Sequence, residues 1–159
     1  MSLKNTTSHL FELKVRYSEI DSQNIVYNSH YLTYFDIAIS ELMDSTFNQE
    51  KYIQNTGNEF HTINVNMSFK ASAKLNDQLE IYSVIKAIGN SSITFQQEIY
   101  IKNSDELLNL SEIVWVNTHQ KTHKSVAMPD ELKEKFKKYL INPSLIVRAA
   151  GVRRLFFFL

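Results

Sequence analysis

Phe11, Leu13, Val15 and Tyr17 alternate with Glu12, Lys14 and Arg16, the period-two pattern of a half-buried strand over 11–17. Past a polar turn the period changes. Tyr31, Leu32, Tyr34, Phe35, Ala38, Ile39, Leu42 and Met43 recur at helical spacing, while Thr33, Asp36, Ser40 and Asp44 form a single narrow polar stripe. A helix apolar around most of its girth must be embraced by other structure, and the downstream sequence offers strands to do it. Over 60–70, Ile63, Val65, Met67 and Phe69 alternate with polar residues. Two long strands follow, about 79–88 and 93–102, separated by Gly89, Asn90, Ser91 and Ser92, which is hairpin chemistry. Asn103, Ser104, Asp105 and Glu106 turn the chain again into "LLNLSEIVWVNTH", and Pro129 with Asp130 opens a short amphipathic helix carrying Leu132, Phe136 and Leu140 on one side.

The sum is α+β: a long central helix wrapped by a curled antiparallel sheet of about five strands, with a short C-terminal helix. Tyr82, Val84, Ile88, Ile113 and Trp115 make some strands apolar on both faces, where one face suffices to cover the helix. This surplus predicts a subunit interface.

At 159 residues the chain fits one domain, expected over 1–140. Lys and Arg number 17 against 17 acidic residues, without a basic cluster before the last turns, so no field draws in nucleic acid. The absence of cysteine removes thiol nucleophiles, thiolate metal sites and disulfides. With only Gly57, Gly89 and Gly151, a Gly-rich phosphate loop, a dinucleotide fingerprint and a Gly-x-Ser-x-Gly elbow are excluded. No stretch reaches the roughly 18–20 apolar residues of a membrane span, and the start lacks a signal-peptide pattern; a cytoplasmic location is the expectation. The stretch 144–159, "SLIVRAAGVRRLFFFL", holds three of the four arginines and reads as a foreign tail, either a reading-frame artefact or a basic, oily anchor.

Asp21 is the residue that raises a chemical question. It stands in the turn between the first strand and the helix, beside Ile25, Val26, Tyr27 and Tyr31. From spacing alone it either satisfies the turn or caps the helix, or it serves a reaction. His119 and His123 have the spacing of a helical metal pair but lack a third ligand, and their surroundings read as a turn; no metal or cofactor is expected.

The run "VRYSEIDSQNIVYNSHYLTYFDIAISELM" resembles the signature of hotdog-fold acyl-CoA thioesterases of the 4-hydroxybenzoyl-CoA thioesterase type, and "FKASAKLNDQLEI" resembles that family's segment between the second and third strands. The resemblance implies a hotdog fold that pairs into homodimers or homotetramers. It implies acyl-CoA, or an acyl carrier protein thioester, as substrate, and Asp21 as catalytic aspartate, acting as nucleophile or general base. The amide of Asn28, at the helix N-terminus, is then the oxyanion donor. Tyr27, Tyr31, Tyr34 and Phe35 are expected to shape the acyl pocket, and Lys70 and Lys74 to meet coenzyme A phosphates. Two positions depart from the family pattern. Asn28 stands where relatives often carry an assisting His, and His30 projects roughly 200° away on a helix start, so it cannot substitute. Asn24 replaces the usual glycine, a substitution that tolerates positive φ. A catalytically silent hotdog protein that binds acyl-CoA or a carrier protein is the alternative, and a hydratase is disfavoured because no Asp-x-Asn-Pro-x-His-like element occurs.

Overall fold

A computed structural model describes residues 2–141. The division into a domain over 1–140 and a tail is therefore only partly open to view, since 142–159 lie outside the described residues. Strand β1 (His9–Lys14) leads through a 3-10 turn, Tyr17–Glu19, into helix α1 (Asn28–Asp44). Helix α2 (Gln49–Thr56) and strand β2 (Asn58–Phe69) follow, then β3 (Gln78–Ile88), β4 (Ser92–Ile101), β5 (Leu107–His119) and helix α3 (Asp130–Phe136). Every pairing is antiparallel, in the order β1-β3-β4-β5-β2. The meander is local, whereas α1 and α2 carry the chain across to lay β2 on the far edge.

Helix α1 lies inside the curl. Tyr31, Tyr34, Phe35, Ala38, Ile39, Leu42 and Met43 are all buried against inward residues of the sheet, among them Leu79, Ile81, Ile85, Phe95, Ile99 and Ile113. Burying each such aliphatic or aromatic side chain contributes about 1.5–3 kcal/mol before entropy is counted, which is why a helix this apolar settles here. One polar row crosses the sheet beneath it. Gln97 donates to the Phe35 carbonyl (3.0 Å) and to Ser83 Oγ (2.9 Å), and Ser111 donates to Gln97 Oε1 (3.2 Å), so these buried groups satisfy one another.

Three expectations are corrected. The first strand ends at Lys14 rather than continuing to Tyr17: Glu19 accepts from the Arg16 amide and guanidinium, closing a 3-10 turn that leaves Tyr17 84% exposed. Helix α2 was not anticipated; Asn48 caps its start and Gly57, at φ 66°, ends it. The apolar surplus on β3 and β5 is covered by the chain itself. Val84 packs with Leu3 and Ile141, while Ile113 and Trp115 belong to the main core. The N-terminal turn is pinned there by the Leu3 amide and the Tyr100 hydroxyl, which both donate to Glu98 Oε2. Exposed apolar surface lies instead on the edge strand β2, at Ile63, Val65 and Phe69.

Candidate active site

The segment from Arg16 to Asn28 is a small hairpin set against the start of α1. Ile20 and Val26 bridge, the Asp21 amide donates to the Ile25 carbonyl (2.9 Å), and the Asn24 amide donates to the Asp21 carbonyl (3.0 Å). Asn24 takes φ 60°, the left-handed conformation a glycine would give. Asp21 sits at the tip, half-buried. Its Oδ1 accepts from the Gln23 amide (2.7 Å), an Asx turn that fixes the side chain, while Oδ2 has no partner among the described residues. One oxygen therefore serves the turn and the other is free, so the two readings of Asp21 are not exclusive. The aspartate does not cap the helix: the N-cap is Tyr27, whose side chain makes no capping bond.

That uncapped start matters chemically. Among the described residues no group accepts from the Asn28 amide, so the first turn of α1 presents a free N–H at the positive end of the helix dipole. The Asn28 side chain is exposed. A donor of this kind suits an oxygen that gains negative charge.

Buried Glu19 holds this arrangement, and the sequence reading passed it over. Its Oε2 accepts from the Arg16 amide (2.8 Å) and the Tyr34 hydroxyl (2.7 Å), and its carbonyl accepts from the Tyr27 amide (2.9 Å). One residue thus ties the hairpin to both the start and the second turn of α1. Burial pushes its carboxyl up, but hydrogen bonds from the Arg16 amide and the Tyr34 hydroxyl, with the Arg16 charge, outweigh this and hold it below the ordinary glutamate value. A depressed folded value contributes stability that is complete above the unfolded value, about pH 4, and is lost as pH falls through the folded one. Glu19→Gln should cost about 1–3 kcal/mol at pH 7, with the gap to wild type closing toward pH 3, as thermal melts at the two pH values will show.

The four expected pocket aromatics separate in two. Tyr27 is exposed, with the His30 ring edge-on at 6.4 Å. Tyr31, Tyr34 and Phe35 are fully buried, and the two hydroxyls are engaged: Tyr31 accepts from the Ala73 amide (2.8 Å) and Tyr34 binds Glu19. Burial pushes both phenols up, and for Tyr34 the Glu19 bond adds to it. Tyr31 and Tyr34 thus lie beneath the hairpin, and none of the three buried rings is an open wall. Lys74 is exposed and its backbone bridges Ile25, which brings it beside the hairpin; Lys70, also exposed, follows the end of β2. His119 accepts at Nδ1 from the Lys121 amide (3.2 Å) in the turn after β5, and His123 has φ 53°. A cleft of about 470 Å³ lined by Phe47, Lys51, Tyr52, Pro129 and Leu132 lies beyond the other end of α1.

Residues 15–136 match the thioesterase-like superfamily. The acyl-CoA thioester hydrolase YbgC of Escherichia coli O6:H1 is 25% identical over 134 residues, 84% of this chain and 99% of that protein. Among solved structures, the 1,4-dihydroxy-2-naphthoyl-CoA thioesterase Slr0204 from Synechocystis has a TM-score of 0.75 at 18% identity, covering 82% of this chain and 96% of its own. The protein SAV2348 from Staphylococcus aureus, solved in complex with CoA, has a TM-score of 0.78 at 15% identity, covering 85% and 87%. A family match across the hairpin, the central helix and the sheet, joined to this curled architecture, leads to one conclusion: the chain belongs to the thioesterase-like superfamily and is a hotdog-fold thioester hydrolase.

Proposed function

We propose that the chain hydrolyses acyl-CoA thioesters, with Asp21 as base or nucleophile and the Asn28 amide as oxyanion donor. The observation that carries this reading is the uncapped amide at the start of α1, on the same hairpin–helix unit as a carboxylate whose second oxygen is free. The thioester oxygen rests on the amide, and Asp21 either attacks the carbonyl carbon or takes a proton from the attacking water. Coenzyme A thiolate leaves and takes up a proton; where Asp21 is the nucleophile, water then hydrolyses the acyl–Asp21 anhydride, and on either route free acid and the Asp21 carboxylate result. The acyl group runs along α1 over Tyr31, Tyr34 and Phe35, with Tyr27 at its mouth, and Lys70 and Lys74 lie where phosphates emerge. The relative YbgC, an acyl-CoA thioester hydrolase by name, supports the substrate class.

The test is free-thiol release from a panel of acyl-CoA and acyl carrier protein thioesters. Release that depends on Asp21 supports the proposal. Binding without release from any substrate identifies a silent acyl-CoA-binding protein instead.

The site is completed by a second copy. Strand β2 is an edge strand with Ile63 62% and Phe69 49% exposed, a long apolar edge that a monomer would leave open to aggregation. Val65→Asp places a charge in the middle of that strand, and sedimentation should show the dimer giving way to monomer, with thioesterase activity falling in step. A wild-type monomer in solution would remove this part of the proposal.

A further inference from the structure

Asn109 is fully buried, yet neither its Nδ2 nor its Oδ1 has a hydrogen-bond partner among the described residues. Buried carboxamides are nearly always paired, and the adjacent polar row of Ser83, Gln97 and Ser111 shows how this core pairs them. Strand alternation places Asn109 on the inward face of β5, with Ser111, Ile113 and Trp115, and a bulge adjoins it. The β4–β5 register shifts between Ile99 and Tyr100, so that Tyr100 opposes Leu107 while Ile99 opposes Asn109. The extra residue, Leu108, is buried as well, so the bulge sets Leu108 and Asn109 side by side in the interior. The opposite neighbour of Asn109 on β2 is Phe69, whose half-exposed ring lies edge-on to Tyr31 at 5.7 Å. Tyr31 is one turn into α1 from Asn28, about 5 Å along the axis.

We propose that Asn109 is a specificity-determining residue, a polar subsite under the acyl path that selects acyl groups bearing a hydroxyl or keto oxygen a few carbons beyond the thioester carbonyl. This rests on the acyl-CoA thioesterase reading. With the carbonyl oxygen on the Asn28 amide and the chain directed along α1, the acyl group passes Tyr31 and, once the Phe69 ring rotates, meets the Asn109 carboxamide. A hydroxyl there accepts from Nδ2 and donates to Oδ1, pairing both ends at once. A plain alkyl chain leaves both unpaired in a dry site, the situation in which enzymes built for a polar substrate reject its hydrocarbon analogue.

The experiment compares kcat/KM for octanoyl-CoA and its 3-hydroxy and 5-hydroxy derivatives in wild type, Asn109→Leu and Asn109→Ala. In the wild type one hydroxy derivative should be preferred by about tenfold or more, and in both variants the ratio should fall to about one. Asn109→Leu should also raise the Tm of the ligand-free protein by a few degrees, because an unpaired buried amide gives way to an apolar group of similar shape. A ratio that is the same in wild type and variants, or a wild type that prefers octanoyl-CoA, overturns the assignment. Should Asn109→Leu fail to fold, Asn109→Ala carries the same ratio. Calorimetric binding of S-octyl-CoA and S-hydroxyoctyl-CoA thioethers separates the two readings: absent hydrolysis removes the thioesterase reading, whereas the thioether ratio and its loss on substitution decide the role of Asn109.

Discussion

Asp21→Asn should lower kcat/KM for the best acyl-CoA substrate by about 10²–10⁴, equivalent to about 3–5 kcal/mol of barrier. The substitution is chosen for what it keeps. Asn retains an oxygen at the position of Oδ1, so the Asx turn to the Gln23 amide survives, and the hairpin closed by Ile20, Val26 and Asn24 has no reason to open. What it removes is the charge on the free oxygen, which both candidate roles require: an amide is neither a useful base at neutral pH nor a competent nucleophile. The loss should therefore appear in kcat with Tm nearly unchanged. Solvent-oxygen labelling in single-turnover reactions of the wild type tests the nucleophilic role. Label found in Asp21 marks attack by the carboxylate and opening of the anhydride at the Asp21 carbon, and label confined to the product acid marks water attack at the acyl carbon. Equal rates for wild type and Asp21→Asn would remove this residue from the reaction.

The sequence made the scaffold legible because hotdog packing writes two periods into one chain. Alternation at Ile63, Val65, Met67 and Phe69 foretold β2, and the run from Tyr31 to Met43 foretold a helix that needs walls on most sides. What escaped was set by contacts distant in sequence. The second face of β3 looked like an interface because Val84 gives no hint that Leu3 and Ile141 will cover it. Helix α2 has no buried residue, so no hydrophobic period marks it; only Asn48 and Gly57 do, and such caps are weak signals alone. Within the site, Asp21 and the start of α1 could be placed because turn and helix are contiguous. Glu19 could not, since its role depends on Tyr34 reaching back to it, although the Arg16–Glu19 spacing of a capping box was visible. Asn109 was hidden more deeply: alternation with Ser111, Ile113 and Trp115 puts it on the inward face, but that its carboxamide finds no partner there depends on neighbours on β2 and β4 distant in sequence.

The oxyanion role belongs to a backbone N–H, which ordinary substitutions leave in place, so the informative variant is Asn28→Pro. It should lower kcat by about 10²–10³, the usual loss for one preorganised donor, or about 3–4 kcal/mol. Proline suits this position in every other respect. Asn28 is the first residue of α1, where a helix tolerates proline best because its N–H has no intrahelical acceptor. Proline also restricts the residue before it to extended backbone, and Tyr27 already has φ −62° and ψ 137°. Folding should therefore persist, with Tm within a few degrees of wild type, while the donor is deleted. Asn28→Ala supplies the contrast: it removes the exposed carboxamide but keeps the N–H, so its loss in kcat should stay below about tenfold. If proline and alanine lower kcat equally, the side chain rather than the amide acts at this position. If neither lowers it, the oxyanion is held elsewhere, and the helix start loses its place in the mechanism.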